Sequence, residues 1–173
     1  MIKELPDYIF NKNYDNFYLL TEYDIIFNEK FTKNLNIFCK RLNSEKLLIK
    51  LEVPLEYNSL VPNRIELTDS SNLSNFYEMS ANVNEAGLMY YMLNFFINDS
   101  SELWEIYVSL ENELSVIGCS KEISSLFEVL FNPYKDESVQ LKYKIIGDMF
   151  DDEELKILFI ESLERNYKFS ETR

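Results

Sequence analysis

The segment from Trp104 to Gly118 alternates between apolar and polar side chains, and this pattern constrains the fold of the chain most strongly. A period of two is typical of a strand, and two such runs around a short acidic turn at 111–113 indicate a β-hairpin. The alternation predicts that three side chains of the first run face the core: Trp104, Ile106 and Val108. The side chains between them are then expected on the opposite face, exposed to solvent: Glu105, Tyr107 and Ser109.

Other runs predict further strands. Residues 47–53 alternate and end at Pro54, and residues 139–145 alternate in the same way. The second of these runs would carry an outer face formed by Gln140, Lys142 and Lys144. Shorter apolar runs predict strands at 17–20, 65–67 and 76–79.

Apolar residues at helical spacing predict four helices. The first runs to Leu42 and begins at Thr21 or at Asn28, because residues 23–27 would also suit a strand. The second covers residues 84–98 and is apolar on nearly every side, which is typical of a buried helix.

The remaining two predicted helices lie in the last third of the chain. One follows Ser120 as its N-cap and ends at Asn132–Pro133. The other begins with Asp151 and Glu154 as an acidic capping box. Its predicted buried stripe consists of Leu155, Leu158, Phe159, Ser162 and Leu163. Together these elements predict one α+β domain over residues 1–173, with a mainly antiparallel sheet of five to six strands and four helices packed on it.

The charge of the chain is unevenly distributed. The net charge is −13, and residues 65–120 contain no Lys, Arg or His. This block carries nine of the acids: Glu66, Asp69, Glu78, Glu85, Asp99, Glu102, Glu105, Glu111 and Glu113. A charge of this sign repels nucleic acid and anionic membranes, so the expected partner is a basic protein.

The sequence lacks the residues that several classes of enzyme require. The absence of histidine removes Ser–His–Asp and Cys–His catalysis, and three isolated glycines provide no phosphate-binding loop. Acid clusters such as 151–154 are better explained by stabilisation of a helix start than by metal binding. We therefore predict no enzyme, no cofactor and no metal. The first ten residues lack the apolar core of a signal peptide, and Cys39 and Cys119 are expected to be buried, reduced thiols, so a cytoplasmic location is expected.

The segment 103–118 (LWEIYVSLENELSVIG), followed by a short helix, resembles strand–turn–strand segments in immunity proteins of bacterial polymorphic-toxin and contact-dependent inhibition systems. The resemblance covers about a tenth of the chain. It implies binding to a cognate toxin domain rather than catalysis.

Charge and resemblance together favour a protein that neutralises a basic, nuclease-type toxin through an acidic surface. The residues expected to form this surface are Glu102, Glu105, Tyr107, Glu111, Glu113, Glu66, Asp69 and Glu78. A phage-type anti-defence protein or DNA mimic follows from the same charge argument. A metal-dependent hydrolase that uses carboxylates alone is a further alternative, and a soluble adaptor domain would need no site.

Overall fold

The computed structural model describes residues 4–21, 29–53, 63–67, 93–132 and 138–169. Their six strands form one sheet: β1 (Asn16–Leu20), β2 (Leu47–Leu51), β3 (Arg64–Leu67), β4 (Phe95–Asp99), β5 (Trp104–Ser109) and β6 (Leu114–Cys119). The strand order is β1-β6-β5-β4-β2-β3, and every neighbouring pair is antiparallel. The helices within the same residues are α1 (Glu29–Arg41), α2 (Lys121–Phe131), α3 (Val139–Gly147) and α4 (Glu153–Tyr167). The predicted α+β class is confirmed.

The predicted hairpin lies in the middle of this sheet. Strand β5 pairs with β6 from Trp104 opposite Cys119 to Ser109 opposite Leu114. Strand β1 covers the other edge of β6, and β4 covers the other edge of β5. Strands β2 and β3 are antiparallel, as the prediction of a mainly antiparallel sheet requires, with Ile49 opposite Ile65.

Both faces of the sheet are covered. One face carries Trp104, Ile106 and Val108 and packs against α1 and α2. The other face carries side chains of β1, β5 and β6 and packs against residues 5–10, α3 and α4. The two apolar layers explain why all six residues of β6 are buried.

Two predicted elements have the wrong secondary structure. Residues 95–98, expected at the end of a helix, belong to strand β4, because the β-forming run Phe95–Ile97 fills the gap between β2 and β5. Residues 139–145, expected as a strand, belong to helix α3. Val139, Tyr143 and Ile146 recur at spacings of four and three and face the core, so the short run satisfied both periods.

Two details of the other helices also differ. Ser120 occupies the N-cap position of α2 but its side chain makes no capping hydrogen bond. In α4 the N-cap is Asp152, and two residues of the predicted stripe, Leu155 and Leu158, are exposed. The buried side of α4 is formed by Phe159, Leu163 and Tyr167.

The predicted strand at 76–79 and most of the helix predicted at 84–98 lie outside the described residues. Within the described parts, no helix has the length and apolar character needed to cross a membrane.

Candidate functional site

The acidic turn of the hairpin connects β5 to β6 and has an ordered hydrogen-bond network. The Ser109 hydroxyl accepts from the Asn112 backbone N–H at 3.3 Å and from its side-chain amide at 2.8 Å. The Glu113 N–H donates to the Leu110 carbonyl at 3.3 Å, and the Leu110 N–H donates to the Asn94 side chain at 2.9 Å. The exposed carboxylates of Glu111 and Glu113 therefore extend from a fixed backbone.

Glu113 adopts an unusual backbone conformation for a charged residue. Its φ is 50°, in the left-handed region where glycine has no steric cost. For an L-amino acid, this backbone conformation costs about 1–2 kcal/mol of stability. The turn thus carries a second carboxylate at a position where glycine would give a more stable hairpin.

Glu102 lies at the other end of β5, in the connection from β4. The strand between Glu102 and the turn at 111–113 rises by roughly 17 Å, about twice the screening length in physiological salt. The Lys12 ammonium donates to the Glu102 carbonyl at 2.7 Å, which brings a cation to this end. Glu102 and the Glu111–Glu113 pair therefore belong to separate surfaces.

Tyr107 was expected to be exposed, and this expectation is wrong. Its side chain is 0% exposed because residues 5–10 and helices α3 and α4 cover this face of the sheet. The Tyr107 hydroxyl donates to the Glu52 carboxylate at 3.0 Å. Ser109 is also buried, and its hydroxyl accepts the bonds from Asn112. The alternation assigned the faces correctly, but the second face is a second core.

Glu105 is half-buried on that same face. The Asn98 side-chain amide donates to its carboxylate at 2.8 Å. Burial raises the pKa of Glu105 above its usual range, while the bond from Asn98 and the charge of Lys50 act in the opposite direction. A carboxyl in this setting is held by its neighbours and is not a free surface charge.

Glu66 is exposed on the edge strand β3 but its charge is paired. Lys46 lies 3.4 Å and Arg64 2.8 Å from its carboxylate oxygens. These two cations lower the pKa of Glu66. The two other predicted contact residues, Asp69 and Glu78, lie outside the described residues. The cation-free block of the sequence therefore meets cations from other parts of the chain in the folded sheet.

The half-buried carboxyls bear on the hydrolase alternative. Burial raises the pKa of both Glu52 and Glu105. A glycosidase pair instead needs one carboxyl that stays ionised beside one that stays protonated. Among the described residues, no group of three or more acidic or Cys side chains is placed to hold a metal ion.

Sequence reasoning missed a second acidic surface, which lies at the start of α4. Residues 145–164 contain seven acids and one cation, Lys156. All seven are exposed: Asp148, Asp151, Asp152, Glu153, Glu154, Glu161 and Glu164. The signal was present in the sequence, but these acids were attributed to helix capping. Capping accounts for Asp152, whose carboxylate accepts from the backbone of Glu154 and Leu155 at 2.8 and 3.2 Å.

Comparison of the chain with protein-family models, curated proteins and solved structures found no match.

Proposed function

We propose that this chain is a cytoplasmic inhibitor that binds a basic protein, as an immunity protein binds the toxin domain that it neutralises. A nuclease-type toxin fits this role because it needs a basic groove for its phosphate-bearing substrate. The acidic turn would enter such a groove and compete with the substrate for its cations.

One observation carries the proposal: Glu111 and Glu113 are exposed on an ordered turn, and Glu113 is kept where glycine would be more stable. Neither carboxylate forms an ion pair with any other described residue. An ordered turn loses little conformational entropy on binding, and unpaired carboxylates accelerate association with a basic surface. Residues in the left-handed region occur at binding sites, and in this chain they also occur at other chain reversals, at Glu102 and Lys168.

The product of a neighbouring gene is the first partner to test. It is produced in a bacterial host with and without this chain, and growth and copurification are measured. We expect the neighbour alone to stop growth and this chain to restore it. The complex should weaken between about 50 and 200 mM salt, because charge pairs at the interface are screened.

The turn is tested by replacing its two acids. Each exposed pair contributes about 0.2–1 kcal/mol, so Glu111→Gln with Glu113→Gln should weaken binding roughly 2- to 30-fold, mainly through the association rate. Glu45→Gln with Glu122→Gln removes the same charge from exposed positions outside the hairpin and should have a smaller effect. Equal losses in the two double variants would show that only net charge matters and would reject the turn.

A DNA mimic remains the nearest alternative, since it also binds a basic channel. It predicts that the partner is a nucleic-acid-binding protein of the host and that this chain releases that partner from DNA. It also predicts that the product of the neighbouring gene does not stop growth. The separation of Glu102 from the turn by the length of β5, with Lys12 beside Glu102, gives less support to a continuous row of phosphate-like charges.

A further inference from the structure

The first two turns of α4 expose large apolar side chains. Leu155, Ile157 and Leu158 are 56%, 48% and 53% exposed. They form what we call the α4 apolar surface. Leu155 and Leu158 are three residues apart and are neighbours on the helix, whereas Ile157 points about 100° away from Leu158, on the side away from Leu155. The buried residues that attach α4 to the rest of the core are Phe159, Leu163 and Tyr167.

Acids surround this surface on the same helix. Glu154 precedes Ile157 and Leu158 by three and four residues, and Glu161 follows them by four and three. Residues at these spacings are surface neighbours, so a carboxylate lies at each end of the apolar pair. Asp151 and Asp152 add charge at the helix start and are exposed.

Helix α4 carries two cations, Lys156 and Arg165, and the first of them points away from the apolar surface. The Lys156 ammonium is 3.4 Å from Glu153, and its methylene groups lie against Gly147 of α3. Lys156 is therefore on the side of α4 that faces α3. Arg165 is exposed four residues after Glu161 and donates to Ser162 at 3.2 Å, whereas Glu154 has no cation three or four positions away.

We propose that the α4 apolar surface docks a basic amphipathic helix of a partner protein. Its Leu, Ile or Met side chains would cover Leu155, Ile157 and Leu158, and its Lys or Arg side chains would face Glu154 and Glu161. An apolar centre with a charged rim is the usual construction of a protein interface. A helix that presents side chains at i, i+3 and i+4 would lay this stripe along Leu155 and Leu158, with Ile157 at the margin of the contact.

Charge disfavours the other occupants. A second copy of this chain would place acids against acids. The chain's own segment 68–92 contains apolar residues but no Lys or Arg, so it offers no complementary charge. An anionic membrane is repelled by the same carboxylates. This inference does not rest on the proposed function, because it concerns a different surface from the acidic turn.

The test uses the full chain and a synthetic peptide of about 18 residues, with Leu at helical a and d positions and Lys elsewhere. Binding is measured by calorimetry, and the contacted residues are located by NMR shift changes. We expect the shifts to concentrate in 153–161. Ile157→Ala with Leu158→Ala should weaken binding about tenfold or more, which corresponds to about 1.4 kcal/mol. Glu154→Gln with Glu161→Gln should weaken it most at low salt.

The matched controls use exposed positions elsewhere. Val129→Ala, on α2 and 77% exposed, should leave peptide binding unchanged. Glu111→Gln with Glu113→Gln should also leave it unchanged, which separates this result from the test of the turn. A peptide of the same composition without an apolar face should bind far more weakly.

Three outcomes overturn the proposal. The first is that the peptide without an apolar face binds as well as the amphipathic peptide, because binding would then depend on charge alone. The Val129→Ala variant loses as much affinity as the α4 variant. The chain forms a dimer that the Ile157→Ala, Leu158→Ala variant disperses, in which case the occupant is a second copy.

Discussion

Gly118 is the second-to-last residue of β6, and the ring of Tyr14 rests directly on its backbone. A Cβ at this position would overlap the ring, with Tyr14 Cγ at 2.9 Å and Cε2 at 3.1 Å. The ring cannot move away easily, because Tyr14 also makes edge contacts with Phe10 and Phe17. We expect Gly118→Ala to lower the free energy of unfolding by about 1–3 kcal/mol, measured by chemical denaturation.

Gly147 provides the matched control for this prediction. A Cβ there would meet the end of the Lys156 side chain, with Cε at 2.5 Å, and this flexible group can shift. Alanine also favours the helical conformation of α3 over glycine by about 1 kcal/mol. Gly147→Ala should therefore be neutral or stabilising. Equal destabilisation by both variants would contradict the assignment of Tyr14 to the surface of β6.

Glu105, like Glu52, is a carboxyl whose ionisation is opposed by its burial in the folded protein. Burial raises its pKa in the folded state, so the folded protein binds this proton more tightly than the unfolded chain. Its contribution to stability therefore falls as pH rises through the raised pKa, and the penalty is present at pH 7. Glu105→Gln should therefore raise the free energy of unfolding at pH 7.

The gain should disappear below about pH 4, where Glu105 is protonated in both states. Urea denaturation at the two pH values measures it. Glu111→Gln removes a charge from the exposed turn without changing a buried group. It therefore serves as the control for the change in net charge. A Glu105→Gln variant that is less stable at pH 7 would mean that the bond from Asn98 outweighs the cost of burial.

Helix α3 separates two lysines that a strand would place together. Lys142 is buried, and its ammonium donates to the Leu19 carbonyl at 2.8 Å, which joins α3 to β1. Lys144 is exposed on the same helix. We expect Lys142→Ala to cost about 2–3 kcal/mol, because it leaves a buried carbonyl without this donor.

Lys144→Ala should change stability by less than about 0.5 kcal/mol. The strand predicted from the sequence would place both lysines on one outer face and give them similar effects. Thermal or urea denaturation of the two variants therefore tests the secondary structure of 139–147 as well as the buried bond.

Elements whose apolar residues fit only the helix period or only the strand period were predictable from the sequence. Elements whose apolar residues fit both periods were not. In α1, Phe31, Leu35 and Phe38 fit a helix, which runs from Glu29 to Arg41 in the described residues; the two predicted starts differ over residues outside them. In α3 the run of nine residues satisfies both periods, and its docking against β1 and α4 selects the helix. In β4, Phe95–Ile97 is placed between β2 and β5 by pairings with residues more than forty and about ten positions away.

At the scale of the whole molecule, the net charge of −13 destabilises the folded protein, because its acidic side chains repel one another. Salt should screen this repulsion. Raising the ionic strength from about 0.01 to about 0.15 M shortens the screening length from about 30 to about 8 Å. We expect the Tm to rise, and a gain of about 1 kcal/mol would appear as about 2–4 °C for a chain of this size. Calorimetry measures the shift.

The salt effect should fade near the isoelectric point of about 4.5, where the net charge approaches zero. A rise in Tm of equal size at both pH values would indicate a general effect of salt on apolar burial rather than relief of repulsion.

The candidate site was only partly predictable, because charge and exposure are properties of the folded molecule. Glu111 and Glu113 are exposed as expected, since a hairpin turn projects beyond its strands. Glu66 meets Lys46 and Arg64 only because β2 and β3 pair. Tyr107 is buried because residues at the two ends of the chain meet over it, as shown by the Ile9 N–H that donates to Tyr167 at 3.2 Å.

The sequence by itself determined the α+β class, the central hairpin and the division of its side chains between two faces, because local periodicity encodes them. Only the tertiary structure decided that both faces are covered, that 139–147 is a helix and that Glu66 pairs with Lys46 and Arg64. Period and turn chemistry act between residues a few positions apart. Burial and charge pairing depend on which distant segments come together, and no local pattern records that.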